Sequence, residues 1–488
     1  MQPNKTSIVA VLIPIAVLAF LLIIPPPVYS QTPGLSWVVR RISPLDEAGT
    51  FPDIAADSAG NLHVVWLSRP GQDTNQPSTD MMYARYDGRN WTRPLSVLIV
   101  DGGSTPRVVI DRQGWLHLTL GIRQSLMYTR VHSSQAGNAR NWLPPKPLSS
   151  IAFFGNQAFL LDSTGILHVV YQDFDGSTLE YLQSTDGGNS WSVPVVLAQE
   201  TGTDNKPAVP DLIEDQQGVL HLVWSMTQAP SYYGGEGVYY MRSTDHGRNW
   251  SSPYRLDEYA DGRNDKAWLA SISEVAPGKL VVVWDRHAET GLRIFAVSND
   301  GGLHWESPRP VPGNITLQTG LNPMLKDGAG NLFLFNAGAG QGTSGSVHYI
   351  LVNRWGGSSW ETVEPVSEAP GAHYLRGVVT HGNELNLVWG SLSGDRGAIF
   401  YARGITDAPY QVGEPVPTVE PTATPTVATP TQTPRSGSMR TPPPSQLPAG
   451  TIPPGDAGMR QTLVWSVLPV VTLLLLAVIL VRLRASGR

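Results

Sequence analysis

The chain has 488 residues, more than one ordinary compact domain holds, and combines 49 Gly and 41 Pro with only 15% charged residues. That is the composition of many short strands joined by turns. A net charge of −6 with no aromatic-studded basic patch argues against nucleic acid as a partner, and the absence of Cys excludes disulfides and thiolate-bound metal.

Residues 1–30 carry Lys5, an apolar run from Ile8 to Ile24 and a Pro-rich end at Val28-Tyr29-Ser30. This reads as a secretory signal cleaved after Ser30, with an uncleaved anchor as the alternative. Trp37 to Ile42 then reads as a lone outer strand with no unit of its own.

From Leu35 to about Ala408 a Gly is repeatedly followed by an apolar strand, as in Gly60 to Trp66, Gly165 to Tyr171 and Gly218 to Trp224. The recurring Leu62, Leu116, Leu167, Leu220, Leu280, Leu332 and Leu385 make seven instances. Their spacing of roughly 50–60 residues fits a four-stranded blade. The expected fold is therefore all-β, a β-propeller of seven blades over 31–412, each with strands A to D from the axis outward. Trp37 to Ile42 should close the ring beside Phe400 to Ala402, because an unpaired edge would otherwise remain.

A second repeat, S-x-D-x-G-x-x-W, occurs at Ser184 to Trp191, Ser243 to Trp250 and Ser298 to Trp305, with degenerate copies ending at Trp91, Trp142 and Trp360. The Ser hydroxyl and Asp carboxylate can cap backbone N–H groups, the Gly can take positive φ and the Trp can anchor the turn by burial. His63, His117, His168 and His221 recur at one position of strand B. One per blade places them too far apart to share an ion, and with no carboxylate repeating beside them they read as structural, hydrogen-bonded residues. No metal or other cofactor is expected.

Residues 413–460 turn Pro- and Thr-rich, an extended stalk whose Thr residues are candidates for O-glycans. The run Leu463 to Val481 is long enough to span a bilayer, so 461–482 reads as a transmembrane helix, and the Arg-rich 483–488 as a cytoplasmic tail. The expected topology is single-pass at the cell membrane, with the propeller facing the exterior.

The S-x-D-x-G-x-x-W pattern resembles the Asp-box, or BNR, repeat of the sialidase-like β-propellers. Sialidases have six blades, which is the alternative to the count of seven, and their Asp boxes lie away from the pocket. Aligning the units by their Leu puts Asp53, Arg107, Ala158, Asp211, Ser271, Pro323 and Arg376 at one equivalent position near the central mouth. Sialidases grip the substrate carboxylate with three Arg, attack with a Tyr paired to a Glu, and use an Asp as acid/base. Three guanidinium groups suit a carboxylate through charge-assisted bonds.

On that resemblance Tyr374 falls at the place of the nucleophile, Arg69 matches a family Arg and Arg286 matches another loosely. Thr50 stands where the first triad Arg belongs, Trp268 and Leu269 stand where the Glu belongs, and Asp73 and Asp80 are available as the acid. Two functions follow. One is an exo-α-sialidase-like hydrolase of terminal acidic sugars, with Tyr374 as nucleophile and Arg69, Arg107, Arg286 and Arg376 as ligands. The other is a module that binds surface glycans or glycoproteins with weak or no hydrolysis, with Ser231 to Glu236 and Trp268 as stacking platforms. The departures at Thr50 and Leu269 favour the second.

Overall fold

Strand B sets the architecture. In the strand Leu62–Pro70, Val64, Val65 and Trp66 are all fully buried, so neighbours cover both faces. A continuous apolar run is what a strand needs when its sheet is sandwiched between two others. The computed structural model describes residues 35–70, 80–151, 157–201, 205–228, 235–258, 267–286, 292–312, 323–342, 345–361, 364–369, 372–391 and 397–417. The expected signal, the stalk beyond residue 417, the apolar helix at 461–482 and the tail lie outside the described residues, as does most of 231–236.

The described strands form seven four-stranded antiparallel sheets. Blade 1, for example, consists of Glu47–Ala56, Leu62–Pro70, Asp80–Tyr86 and Leu95–Ile99. The inner strands of blades 1 to 7 are Glu47–Ala56, Gly103–Ile110, Gln157–Leu161, Asn205–Glu214, Ala267–Ala276, Met324–Lys326 and Ala372–Thr380. Each contacts the next, and the seventh contacts the first. The ring closes as the sequence suggests. Trp37–Arg41 pairs antiparallel with the last strand, from Trp37 opposite Gly404 to Arg41 opposite Phe400. The Trp37 ring then meets Phe335 of blade 6 edge-on, with centroids 5.8 Å apart.

The turn between strands A and B explains the repeated Gly. All seven, from Gly60 to Gly382, have positive φ, between 70° and 92°, where a β-carbon is unfavourable. In blade 1 the Oδ1 of Asp57 accepts from Ala59 N at 3.0 Å and Asn61 N at 2.9 Å. Asp111, Asp162, Asp215 and Asp327 repeat this cap.

These Asp residues also correct the reading of the strand-B His residues. A carboxylate does recur with each of them, six positions upstream and brought alongside by the turn. The pairs His63–Asp57, His117–Asp111, His168–Asp162 and His221–Asp215 are 3.0–3.2 Å long. A carboxylate only accepts, so each Nε2 carries the proton, and Nδ1 accepts from the hydroxyl of Tyr83, Tyr128, Tyr181 or Tyr240 at 2.7–2.8 Å. The structural role holds.

The Asp boxes are built as their residue types imply. Ser184 Oγ donates to Asp186 Oδ1 at 2.8 Å and accepts from Gly188 N at 2.9 Å, and the Asp186 carboxylate accepts from Ser190 N. The hydrogen bond from the Ser190 hydroxyl leads the causes that bring the Asp186 pKa down to about 2. Each box then locks to the preceding blade. Trp191, Trp250 and Trp305 meet Tyr128, Tyr181 and Tyr240 edge-on at 5.0–5.5 Å.

Candidate functional site

The inner strands are interrupted at one repeated point. In blade 1 the partner of Thr50 is Leu67 but that of Asp53 is Val65, so two residues oppose one and the strand bulges. Blades 2, 4, 5 and 7 repeat the shift before Arg107, Asp211, Ser271 and Arg376. The first bulged residue is left-handed in each: Phe51, Thr105, Val209, Leu269 and Tyr374 have φ of 52°, 26°, 52°, 55° and 52°. Such strain in non-Gly residues persists only where the surrounding structure fixes it. The third residue of each bulge lines the axis.

There the seven equivalent residues Asp53, Arg107, Ala158, Asp211, Ser271, Pro323 and Arg376 border one central cavity of about 250 Å³. Asp53 Oδ1 lies 4.0 Å from Arg107 Nη1 and 3.8 Å from Arg376 Nε, so one carboxylate serves two guanidinium groups. Its Oδ2 accepts from Val108 N in blade 2 at 2.8 Å, and Asp211 Oδ2 likewise accepts from Ile272 N in blade 5 at 3.0 Å. Arg107 Nε donates to Gln157 O at 2.9 Å, and Arg376 Nη1 donates to Leu375 O at 3.0 Å.

Burial pushes the Asp53 and Asp211 carboxyls above the usual carboxylate range, against the pull of Arg107 and Arg376. Burial also lowers Arg107, and burial with the like charge of Arg107 brings Arg376 to about 9. Two acids and two bases share the wall. Such a cavity offers paired donors and acceptors and no net charge, which suits hydroxyl-rich groups better than a lone anion.

The remaining candidates lie elsewhere. Tyr374 is half-buried on its bulge, with its ring 4.2 Å from Phe51 and 4.9 Å from His373, and its phenol bears electrostatically on Arg376. Thr50 Oγ1 lies 3.4 Å from His373 Nε2. Arg69 and Arg286 pair with Ala48 and Ala267 at the far end of strand B. Arg69 is four residues beyond Val65, the partner of Asp53, or about 13 Å along the strand. Neither Arg69, Arg286 nor Tyr374 is among the residues lining the cavity.

Trp268 and Leu269 are both 5% exposed, buried on the inner strand Ala267–Ala276 of blade 5. Asp80 begins strand C of blade 1, where it accepts from the Ser96 hydroxyl, and Asp73 lies outside the described residues. Sequence reasoning missed Gln157 and the bulge itself. The signal was the Pro that precedes a charged residue in Phe51-Pro52-Asp53, Thr105-Pro106-Arg107 and Val209-Pro210-Asp211.

Comparison with known proteins agrees with this architecture. The family described as BNR repeat-like domain matches residues 175–367. No curated protein matches in sequence. Among solved structures, a PL25 ulvan lyase is similar at 14% identity, covering 78% of this chain and 96% of its own, with a TM-score of 0.50. A protein of unknown function from Dyadobacter fermentans is similar at 15% identity over 75% of this chain and 99% of its own, with a TM-score of 0.47. A Hadza microbial sialidase shares 17% identity over 70% of this chain and 76% of its own, with a TM-score of 0.42. Seven closed blades and capped Asp-box turns make the chain a β-propeller, and its residues 175–367 are similar to the BNR repeat-like domain family.

Proposed function

We infer that the chain is a binding propeller for extracellular glycans or glycoproteins, with weak or no hydrolysis, anchored by 461–482 with the propeller facing the exterior. One observation carries the binding reading: both guanidinium groups at the cavity, Arg107 and Arg376, lie within 4.0 Å of the Asp53 carboxylate. An Arg that must grip a substrate carboxylate works best when no resident acid already compensates it. Thr50 supplies no third guanidinium, and the buried, apolar Trp268 and Leu269 supply no carboxylate. The general base alone contributes roughly 10²–10⁴ in rate where an enzyme has one.

The second reading, an exo-α-sialidase-like hydrolase, draws on the electrostatic contact of Tyr374 with Arg376. The purified protein should release no 4-methylumbelliferone from its sialoside, yet bind immobilised glycans, and Arg376→Met should weaken that binding. Turnover that disappears in Tyr374→Phe would establish the hydrolase instead.

A further inference from the structure

We propose that Asp162, Glu214 and His246 form a divalent transition-metal site that ties blade 3 to blade 4 at the Asp-box end of the propeller. Each offers one ligand atom, and the three atoms lie within 4.8 Å of one another. They arrive from three segments: the A–B turn of blade 3, the end of the inner strand Asn205–Glu214, and the Asp box of blade 4. A tetrahedral Zn(II) with bonds of about 2.0–2.2 Å needs donors roughly 3.3–3.6 Å apart. Asp162 Oδ2 and His246 Nδ1, 3.1 Å apart, are close to that spacing, and the Glu214 oxygen lies within 4.8 Å of both.

The ligands are held from behind. Asp162 is fully buried, its Oδ1 accepting from Thr164 N, Thr164 Oγ1 and Ile166 N at 2.8–3.0 Å, while His168 Nε2 supports its Oδ2 at 3.2 Å. Glu214 accepts from Ser163 N at 2.6 Å and Ser163 Oγ at 2.8 Å, and each oxygen keeps a second lone pair. The His246 side chain is 36% exposed, so the fourth position opens to water.

The repeat supplies an internal control. Between blades 4 and 5 the same two acids recur: Asp215 caps the turn, and Glu274 accepts from Gln216 Nε2 at 3.0 Å. The position of His246 is there taken by Gly301, and in the blade 3 box by Gly187, with φ of 68° and 65°. His246 holds this backbone at φ 56°, which Gly takes freely and a side chain does not. The third donor is thus placed where the fold itself prefers Gly. One imidazole with two carboxylates suits Zn(II), Co(II) or Ni(II) over Mg(II) or Ca(II), which favour all-oxygen shells of six or more.

The test uses the purified full chain stripped with EDTA and titrated with ZnCl2 or CoCl2, read by calorimetry, thermal unfolding and Co(II) visible absorption. One equivalent should bind, raise Tm and, with cobalt, give a tetrahedral absorption band. His246→Gly should bind at least about tenfold more weakly, with an unchanged or higher Tm in EDTA because its sister turns carry Gly. Glu214→Gln should also weaken binding. No binding by the wild type, or undiminished binding by His246→Gly, overturns the proposal and leaves a hydrogen-bonded latch between blades.

Discussion

The hydroxyl of Tyr83 lies 2.8 Å from His63 Nδ1, while the opposite ring nitrogen lies 3.2 Å from Asp57, so one neutral imidazole joins strand C to the A–B turn. Blade 7 makes the same link with other residues. There Tyr401 donates to Asn386 Oδ1 at 2.7 Å and Asn386 Nδ2 donates to Thr380 Oγ1 at 2.9 Å. Blade 5 replaces the whole set with Val275, Val281 and Phe295, which share one apolar cluster. The His and Tyr positions change together, because a buried polar group without its partner costs more than an apolar pair of similar shape. In blade 6 Phe333 and Val352 replace both, while Asp327 keeps its cap and accepts from Asn331 Nδ2 at 2.9 Å.

That coupling gives the first prediction. His63→Val leaves the Tyr83 hydroxyl without its buried acceptor, at about 1–3 kcal/mol, and costs Asp57 Oδ2 one of its two donors, the other being Asn61 Nδ2 at 2.8 Å. Adding Tyr83→Phe removes that hydroxyl, so His63→Val/Tyr83→Phe should be less destabilised than the sum of the single variants. Chemical denaturation of all four proteins measures the coupling, and strict additivity would sink the idea.

Acid should loosen the blades in two stages. Burial lowers the His63, His168 and His221 pKa values below the ordinary His value, so the unfolded chain takes up protons first. Arg85 faces His63, His246 faces His168, and Arg242 faces His221, each further opposing protonation, while Asp57, Asp162, Asp215 and Glu274 favour it. The stability from keeping these rings neutral is fully present above the unfolded His pKa, about 6.5, and is lost as pH falls below it. Asp57, Asp111 and Asp162 follow: burial raises each, yet the His and turn hydrogen bonds bring them below the ordinary value. Their contribution disappears as pH falls below the usual carboxylate range. Thermal unfolding at pH 8, 6, 5 and 4 should show Tm falling first below 6.5, and a flat profile down to pH 5 would contradict the scheme.

The ring closure and the cavity wall were legible in the sequence because both are read from one residue per repeat. Trp37 lacked a unit of its own, and alignment on Leu62 and its equivalents selected seven residues that border one cavity. What the sequence concealed was geometry acting across turns and between blades. Asp57 is six residues from His63, and it becomes a neighbour only when Gly60 folds the strand back. Arg69 and Arg376 look alike as guanidinium groups, yet the strand register carries Arg69 four residues along strand B from the partner of Asp53, and it does not line the cavity.

Closure by Trp37–Arg41 should be required for a monomeric protein. Removing residues 31–43 exposes the strand Ala398–Ile405 along its paired edge and uncovers Phe335. An open edge next to an apolar seam invites pairing with another chain. Light scattering after size exclusion should report oligomers or aggregate from the shortened protein, and a stable monomer would show that the first strand is dispensable.

The strained bulges give the last prediction. Val209 sits at φ 52°, half-buried, and β-branching makes that region especially unfavourable. The left-handed conformation costs an L-residue roughly 1–2 kcal/mol, and Asn lowers that cost. Val209→Asn keeps the β-carbon and gives up part of one half-buried apolar side chain. Full burial of a Val is worth about 1.5–3 kcal/mol, so half of it is comparable to the strain relieved. The two terms nearly cancel, and Val209→Asn should leave Tm unchanged or slightly raised. Val223→Asn, in the fully buried strand B opposite Asp211, should lower stability by several kcal/mol because nothing offsets the buried amide. Equal losses in the two variants would mean that the bulge stores no strain at Val209, and would weaken the same reading at Tyr374, which holds the equivalent conformation above Arg376.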